Sequence, residues 1–434
     1  MRQLLLLGLT FAAAMDPAAG QVAPDRTVVA TNVPAGPPAT RLLAIDSLGA
    51  IANYGSFPSD AAAPRAVAID PYDRHIVLAV ALGGMSRLLR LVPDGSSFTQ
   101  EIVLGDVAGV CVQVEVVDDH IFAVVEGAAG GVYRLPRHGG QPVQTVFRPN
   151  AAALMPFGFG TVGILAWSGT TAPSATDPGL EFLDFDTGQL QWGPFSWPGF
   201  QPLQVTGLID LPTGASRQLL AFADGTFAVH LAGAGNPTPL PVSPPVPMGG
   251  ARAFKVDSGG AVGIGLGGIS HPWLYSIDAF TGMRTILSGP LPGDPVDFAL
   301  PLAPFPQLLA FGSDCGGAPP PSLVLGAGGP PQIGNSSFDV LLGSAAPGQL
   351  VVFFAGLTDM LPGLLPFPLA GGCLLRVRPD FGELYLANIG GGARQPLPIP
   401  NQASLAGQVI LAQWLTVQGP QFGATRAVAI ALGP

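Results

Sequence analysis

Few side chains in this sequence could do chemistry, and they are scattered. Glu115 and Asp297 sit inside apolar, strand-like runs. Asp70, Asp210 and Asp257 sit where such runs end, and turn capping accounts for them there. Carboxylates that converge on one axis can hold a divalent cation such as calcium, polarise a carbonyl and activate water. Glu115 and Asp297 are therefore the metal candidates. The five histidines, His75, His120, His138, His230 and His271, never fall within four residues of one another, so no zinc spacing exists. There is no Gly-x-Ser-x-Gly elbow, no P-loop and no His-Glu-x-x-His. The run 263–268 (GIGLGG) has no helix pattern after it and reads as strand and turn. Trp192 and Trp197 cluster with Phe195 and Phe200 between prolines, and Trp167 lies upstream. Trp167, Trp192 and Trp197 are the candidates for a stacking face that would take a carbohydrate or protein partner, or else for packing between sheets.

Composition limits what can position these residues. The chain has 434 residues, with 60 Gly, 47 Pro and only 11% charged residues. That much Gly and Pro excludes a helical bundle, because both are costly inside helices. An all-β, turn-dense protein remains. Net charge is −10 with no basic stripe, which argues against nucleic acid as a partner. Lys255 is the only lysine, a bias that reads as genome composition.

Residues 1–20 read as a signal peptide: Arg2, then an apolar run too short to span a bilayer, then small residues before Gln21. The mature chain has no run that could span a membrane as a helix. The expected location is secreted, periplasmic or cell surface. That compartment permits a disulfide, and Cys315 with Cys373 is the expected pair. Cys111, in an apolar run, is the expected buried thiol.

Residues 21–305 contain a repeat. Its copies are 42–49 (LLAIDSLG), 88–95 (LLRLVPDG), 132–139 (VYRLPRHG), 180–188 (LEFLDFDTG), 228–235 (AVHLAGAG) and 274–282 (LYSIDAFTG). Their starts differ by 46, 44, 48, 48 and 46 residues. That period holds four short strands, the size of a propeller blade. One strand (27–33) precedes the first copy and one (296–302) follows the last, so the two ends would share a blade and leave no open edge. Asp46, Asp184 and Asp278 should cap their turns, with Gly49, Gly188 and Gly282 closing them. The fold class expected is a six-bladed β-propeller followed, over 306–434, by a β-sandwich of about eight strands.

The repeat, most of all at 65–80 (RAVAIDPYDRHIVLAV) and at the Asp-x-x-Thr-Gly turns, resembles the NHL and SMP-30/gluconolactonase-like six-bladed propellers. That resemblance implies a metal held in the channel by carboxylates and an Asn. Here the third inner strand, 151–157, carries no acid, and Asn150 precedes it. Residues 306–434 resemble a module at the C-terminal ends of many secreted bacterial proteins. The matching features are Gly312-Ser313-Asp314-Cys315-Gly316, Gly372-Cys373, Pro396-Leu397-Pro398-Ile399-Pro400-Asn401 and Gln413-Trp414. This resemblance implies a surface or sorting role and no catalytic residues. The function expected is a non-enzymatic binding or scaffold protein with an unknown protein or carbohydrate partner. The alternative is a metal-dependent, lactonase-like hydrolase.

Overall fold

Short apolar runs punctuated by Gly, Pro and Asp can bury one sheet face each and turn tightly between strands. The computed structural model shows this outcome. It describes residues 22, 26–33, 39–46, 48–94, 97–127, 130–157, 162–168, 177–198, 205–211, 217–231, 235–245, 252–256, 262–267, 272–278, 281–300, 307–316, 320–357, 367–368, 373–419 and 421–433. Residues 1–20, expected to be a signal peptide, lie outside that set, as do Asp257, His271 and Phe200. Among the described residues the protein is all-β, and its single helical turn is the 3-10 segment Ala403–Leu405. No helix there is long and apolar enough to cross a membrane.

The chain divides into two compact units. One is Arg26–Ile69 with Ile76–Pro301; the other is Leu302–Pro434 with Asp70–His75. In the first unit the repeat becomes four-stranded antiparallel meanders. The first sheet runs Asp294–Ala299, Thr27–Asn32, Thr40–Ile45, Ile51–Asn53, so the C-terminal strand of the unit is innermost and pairs with the N-terminal one. The second runs from Pro64–Ile69 to Ser97–Ala108, the third from Val110–Val117 to Val143–Phe147, and the fourth from Ala151–Phe157 to Leu190–Ser196. The fifth and sixth start at Val205–Leu211 and Ala253–Val256, and a single parallel pair, Gly207 with Phe254, joins them into one eight-stranded sheet. Each repeated sequence segment covers the third strand and the turn after it.

The turns form for the anticipated reasons. Asp46 Oδ1 accepts the N–H groups of Leu48 and Ala50, both at 2.9 Å. Asp184 Oδ1 accepts from Thr187 N at 2.8 Å, and Asp278 Oδ1 from Thr281 N at 2.7 Å. Gly188 follows at φ 72° and Gly282 at φ 70°, a region that costs a side chain strain. One glycine of 263–268 has a packing reason. A Cβ on Gly265 would overlap the buried Tyr275 ring on the neighbouring strand.

In the second unit, Gln307–Phe311, Ala427–Ala431, Val409–Gln418, Leu350–Gly356 and Phe381–Leu386 form one sheet in that order, with Gln421–Ala424 beside Val409–Gln418. Ser322–Ala327, Asp339–Gly343 and Ala393–Pro396 form another. Both contribute to one core: Phe338, Val340 and Leu342 from one side, Phe353, Trp414 and Ile430 from the other. The segment after Cys373 forms only a two-residue strand, Leu374–Leu375. Cys315 and Cys373 lie at disulfide distance, with Cα atoms 5.5 Å apart.

The Gln413-Trp414 pair organises this unit. Trp414 is fully buried against Phe353 and Tyr385. Gln413, also fully buried, donates to Leu374 O (3.0 Å) and Thr425 O (2.8 Å) and accepts from Arg376 N (2.8 Å). Its amide thus ties the segment at 374–376 and the backbone at Thr425 to the strand Val409–Gln418. Gln413→Leu keeps the volume and strands three backbone groups, so we expect a loss of about 3 kcal/mol, read by denaturant unfolding of the full chain.

Candidate functional site

The inner strands of the first unit lie side by side in a closed ring. Asp294–Ala299 neighbours Pro64–Ile69, then Val110–Val117, Ala151–Phe157, Val205–Leu211, Ala253–Val256 and back to Asp294–Ala299. Apart from Val205–Leu211 and Ala253–Val256, which pair with each other, each inner strand is a sheet edge, so half of its N–H and C=O groups lack a strand partner. Side chains fill that need at nearly every step. Ser86 Oγ accepts from Cys111 N and donates to Gly109 O, both 2.9 Å. Gln113 donates to Leu154 O at 2.6 Å and accepts from Leu154 N at 2.8 Å, acting as a surrogate peptide. Ser168 Oγ accepts from Val205 N at 3.1 Å. The Gly207–Phe254 step needs no such help because the backbones pair directly.

The seam where the chain closes is held by charge. Asp297 is 2% exposed, and its Oδ2 accepts from Val67 N at 2.8 Å. Lys255 donates to Val67 O at 3.0 Å and meets Asp297 Oδ1 at 3.3 Å. Its ammonium also lies 5.6 Å from the Phe298 ring centre. One ion pair therefore ties the inner strands of the sixth, first and second sheets. Burial pushes the Asp297 carboxyl upward, while Lys255 and the Val67 N–H oppose that push. Arg252 adds a second tie at the seam, to Asp294 and to Pro295 O.

Glu115 differs from these. Its Oε1 accepts from Gln113 Nε2 at 2.6 Å. Burial lifts its carboxyl above the ordinary range, Lys255 and the Gln113 bond pull it down, and Asp297 pushes it up. Glu115, Asp297 and Lys255 thus share one electrostatic neighbourhood. Cys111 joins it as a buried thiol pushed up to about 12 by burial, too high for an active nucleophile at neutral pH. Among the described residues no group of three or more His, Cys, Asp or Glu is arranged to hold a metal ion.

The other candidates fall elsewhere. Trp167 is 2% exposed; its Nε1 donates to Asp177 O at 2.8 Å, and the Arg148 guanidinium lies over its ring. That guanidinium is paired with buried Glu181. Trp197 is 1% exposed and packs against His230. As placed, neither ring offers a face to solvent, and of the two expectations for them packing is the one their burial fits. Trp192 lies in the outer strand Leu190–Ser196, opposite Phe182 in register. Asp70 Oδ1 accepts from Tyr72 N at 2.9 Å, a turn cap as expected. Asp210 lies in the strand Val205–Leu211. Asn150 occupies a turn at φ 59°. His75 is buried beside Asp73, with Nδ1 3.2 Å from its carboxylate. Sequence reasoning missed Lys255 and Gln113. Lys255 had one available signal: it is the only lysine, and it falls within an inner strand.

No protein-family model and no curated protein sequence matches this chain. Among solved structures it is similar to TolB from Acinetobacter baumannii, with 12% identity and a TM-score of 0.46 over 64% of this chain and 67% of that one. It is similar to the Dos1 propeller at 10% identity and a TM-score of 0.39, over 59% and 69%. It is similar to the WD40 propeller domain of Doa1 at 11% identity and a TM-score of 0.39, over 64% and 87%. These structural neighbours are β-propellers.

The raised Glu115 carboxyl sets a pH dependence. A folded state that holds this proton more tightly than the unfolded chain gains stability as pH falls from neutral towards the ordinary value of 4.5. Glu115→Gln removes the buried charge. The variant should melt higher than the parent at pH 7, and the gap should close as pH falls to about 4.

Proposed function

We propose that this chain is a secreted or cell-envelope binding or scaffold protein, not an enzyme. In this reading Arg26–Pro301 is a six-bladed β-propeller and Leu302–Pro434 a β-sandwich. Six four-stranded meanders, the ring order of their inner strands and the pairing of Thr27–Asn32 with Asp294–Ala299 support the first part. The two sheets that share the Trp414 core support the second. A cysteine pair at disulfide distance fits an oxidising compartment, and the leader-like residues 1–20 fit export.

One observation carries the non-enzymatic reading: the polar groups on the ring are occupied in holding it. Both oxygens of Asp297 are engaged, by Lys255 and by Val67 N. Glu115, Asp297, Lys255 and the nearby Arg65, whose charge also reaches Cys111, sum to zero as they stand. A divalent cation on Glu115 and Asp297 would have to displace Lys255 from Asp297. The binding surface then falls to the loops, which a rigid closed platform can vary freely. A protein partner fits better than a carbohydrate, since the rings of Trp167 and Trp197 are enclosed.

The test is elemental analysis of the purified chain after dialysis without chelator. We expect no stoichiometric calcium, zinc or manganese. One tightly held equivalent that disappears in Glu115→Gln would overturn this reading in favour of the lactonase-like hydrolase.

A further inference from the structure

The larger sheet of the C-terminal unit ends on Phe381–Leu386, which among the described residues pairs only with Leu350–Gly356. An edge strand presents an open row of N–H and C=O groups and templates further strands unless lysine, proline or a bulge blunts it. This one (FGELYL) has no lysine and no proline, its one charge is Glu383, and its register is unbroken. Burial alternates along it. Phe381 and Tyr385 pack on the core, whereas Gly382, Leu384 and Leu386 are exposed. Leu384 is 65% exposed and Leu386 70%. Leu350, opposite Leu386 in register, is also exposed, and Val352 and Phe354 are half-buried on the same strand parity. The result is an apolar strip beside an open edge.

We propose that this edge pairs antiparallel with the same edge of a second copy of the chain. A two-fold axis makes such a contact self-complementary. In the register centred on Leu384, that residue faces its own counterpart, and Leu386 faces the partner's Gly382. The Phe354 ring fills the space beside Gly382, so the partner's Leu386 meets an apolar ring there. Glu383 faces the partner's Tyr385, so no like charges meet. Charge does not oppose this occupant. Residues 306–434 carry 4 basic and 5 acidic side chains, against 13 and 22 for residues 21–305. Two copies meeting through the C-terminal unit bring together net charges of −1, not −9. The proposal does not depend on the reading of the ring.

Sedimentation equilibrium of the full chain tests it. The weight-average mass should rise from one to two chain masses with concentration. Leu384→Lys should weaken the association at least about tenfold and leave the melting temperature unchanged at dilutions where both chains are monomeric, since the side chain is exposed. Leu384→Cys should cross-link into dimers under mild oxidation, because facing residues in an antiparallel pair have Cα atoms about 4.5–5.5 Å apart, within disulfide range. Ile389→Cys, exposed but outside the register, should not. A one-chain mass at every concentration, or a dimer that ignores Leu384→Lys and is not trapped by Leu384→Cys, would overturn the proposal.

Discussion

An inner strand in a ring of sheets has one backbone edge with no strand to bond to. That constraint shapes the first unit. Water could satisfy those groups, but water in the ring would leave adjacent sheets free to slide. Instead the N–H and C=O of Val67, Leu154 and Val205 each meet a polar side chain from the preceding sheet or from the seam. Each such bond contributes about 1 kcal/mol net. Its larger effect is geometric: it sets the height of one sheet against the next. The chain closes on itself through Thr27–Asn32 and Asp294–Ala299, and Lys255 with Asp297 locks that closure. A buried ion pair gives little net stability but tolerates few alternative arrangements, which suits a seam joining distant parts of the chain.

Much of this was legible in the sequence, because the signals were local. The period of the repeat, the Asp and Gly of its turns, and single strands at either end followed from spacing and turn chemistry. Asp184 and Gly188 perform the roles their types suggest. The use made of the ring residues was not legible. Gln113 reads as an ordinary polar residue until Leu154, 41 positions later, is placed beside it. Lys255 finds Asp297 at a separation of 42 and Val67 at 188. Such pairings depend on blade order and strand height, which no local pattern encodes. The tryptophans left two readings open. Aromatics between prolines suit a surface patch, but Trp167 and Trp197 fill gaps between strands, and glycine at 179 makes room for the Trp167 ring.

The C-terminal unit repeats the lesson with different residues. Its recognisable motifs all hold the backbone. Asp314 accepts from Arg426 N, Cys315 meets Cys373, Gln413 bonds two segments, and the Pro396–Asn401 stretch donates from Leu397 and Ile399 to the chain at Phe338 and Asn335. Motifs wholly occupied in folding are the reason both proposals turn to surfaces: loops in one unit, a sheet edge in the other.

Closure of the ring by the two ends is the central claim, and native-state hydrogen exchange measures it most directly. The amides of Thr27–Asn32 and Asp294–Ala299 should exchange with the same free energy as the inner strands between them, because opening either end opens the ring. If Thr27–Asn32 exchanged several kcal/mol below Asp294–Ala299, and independently of it, the ends would be an appendage and the closure account would be wrong.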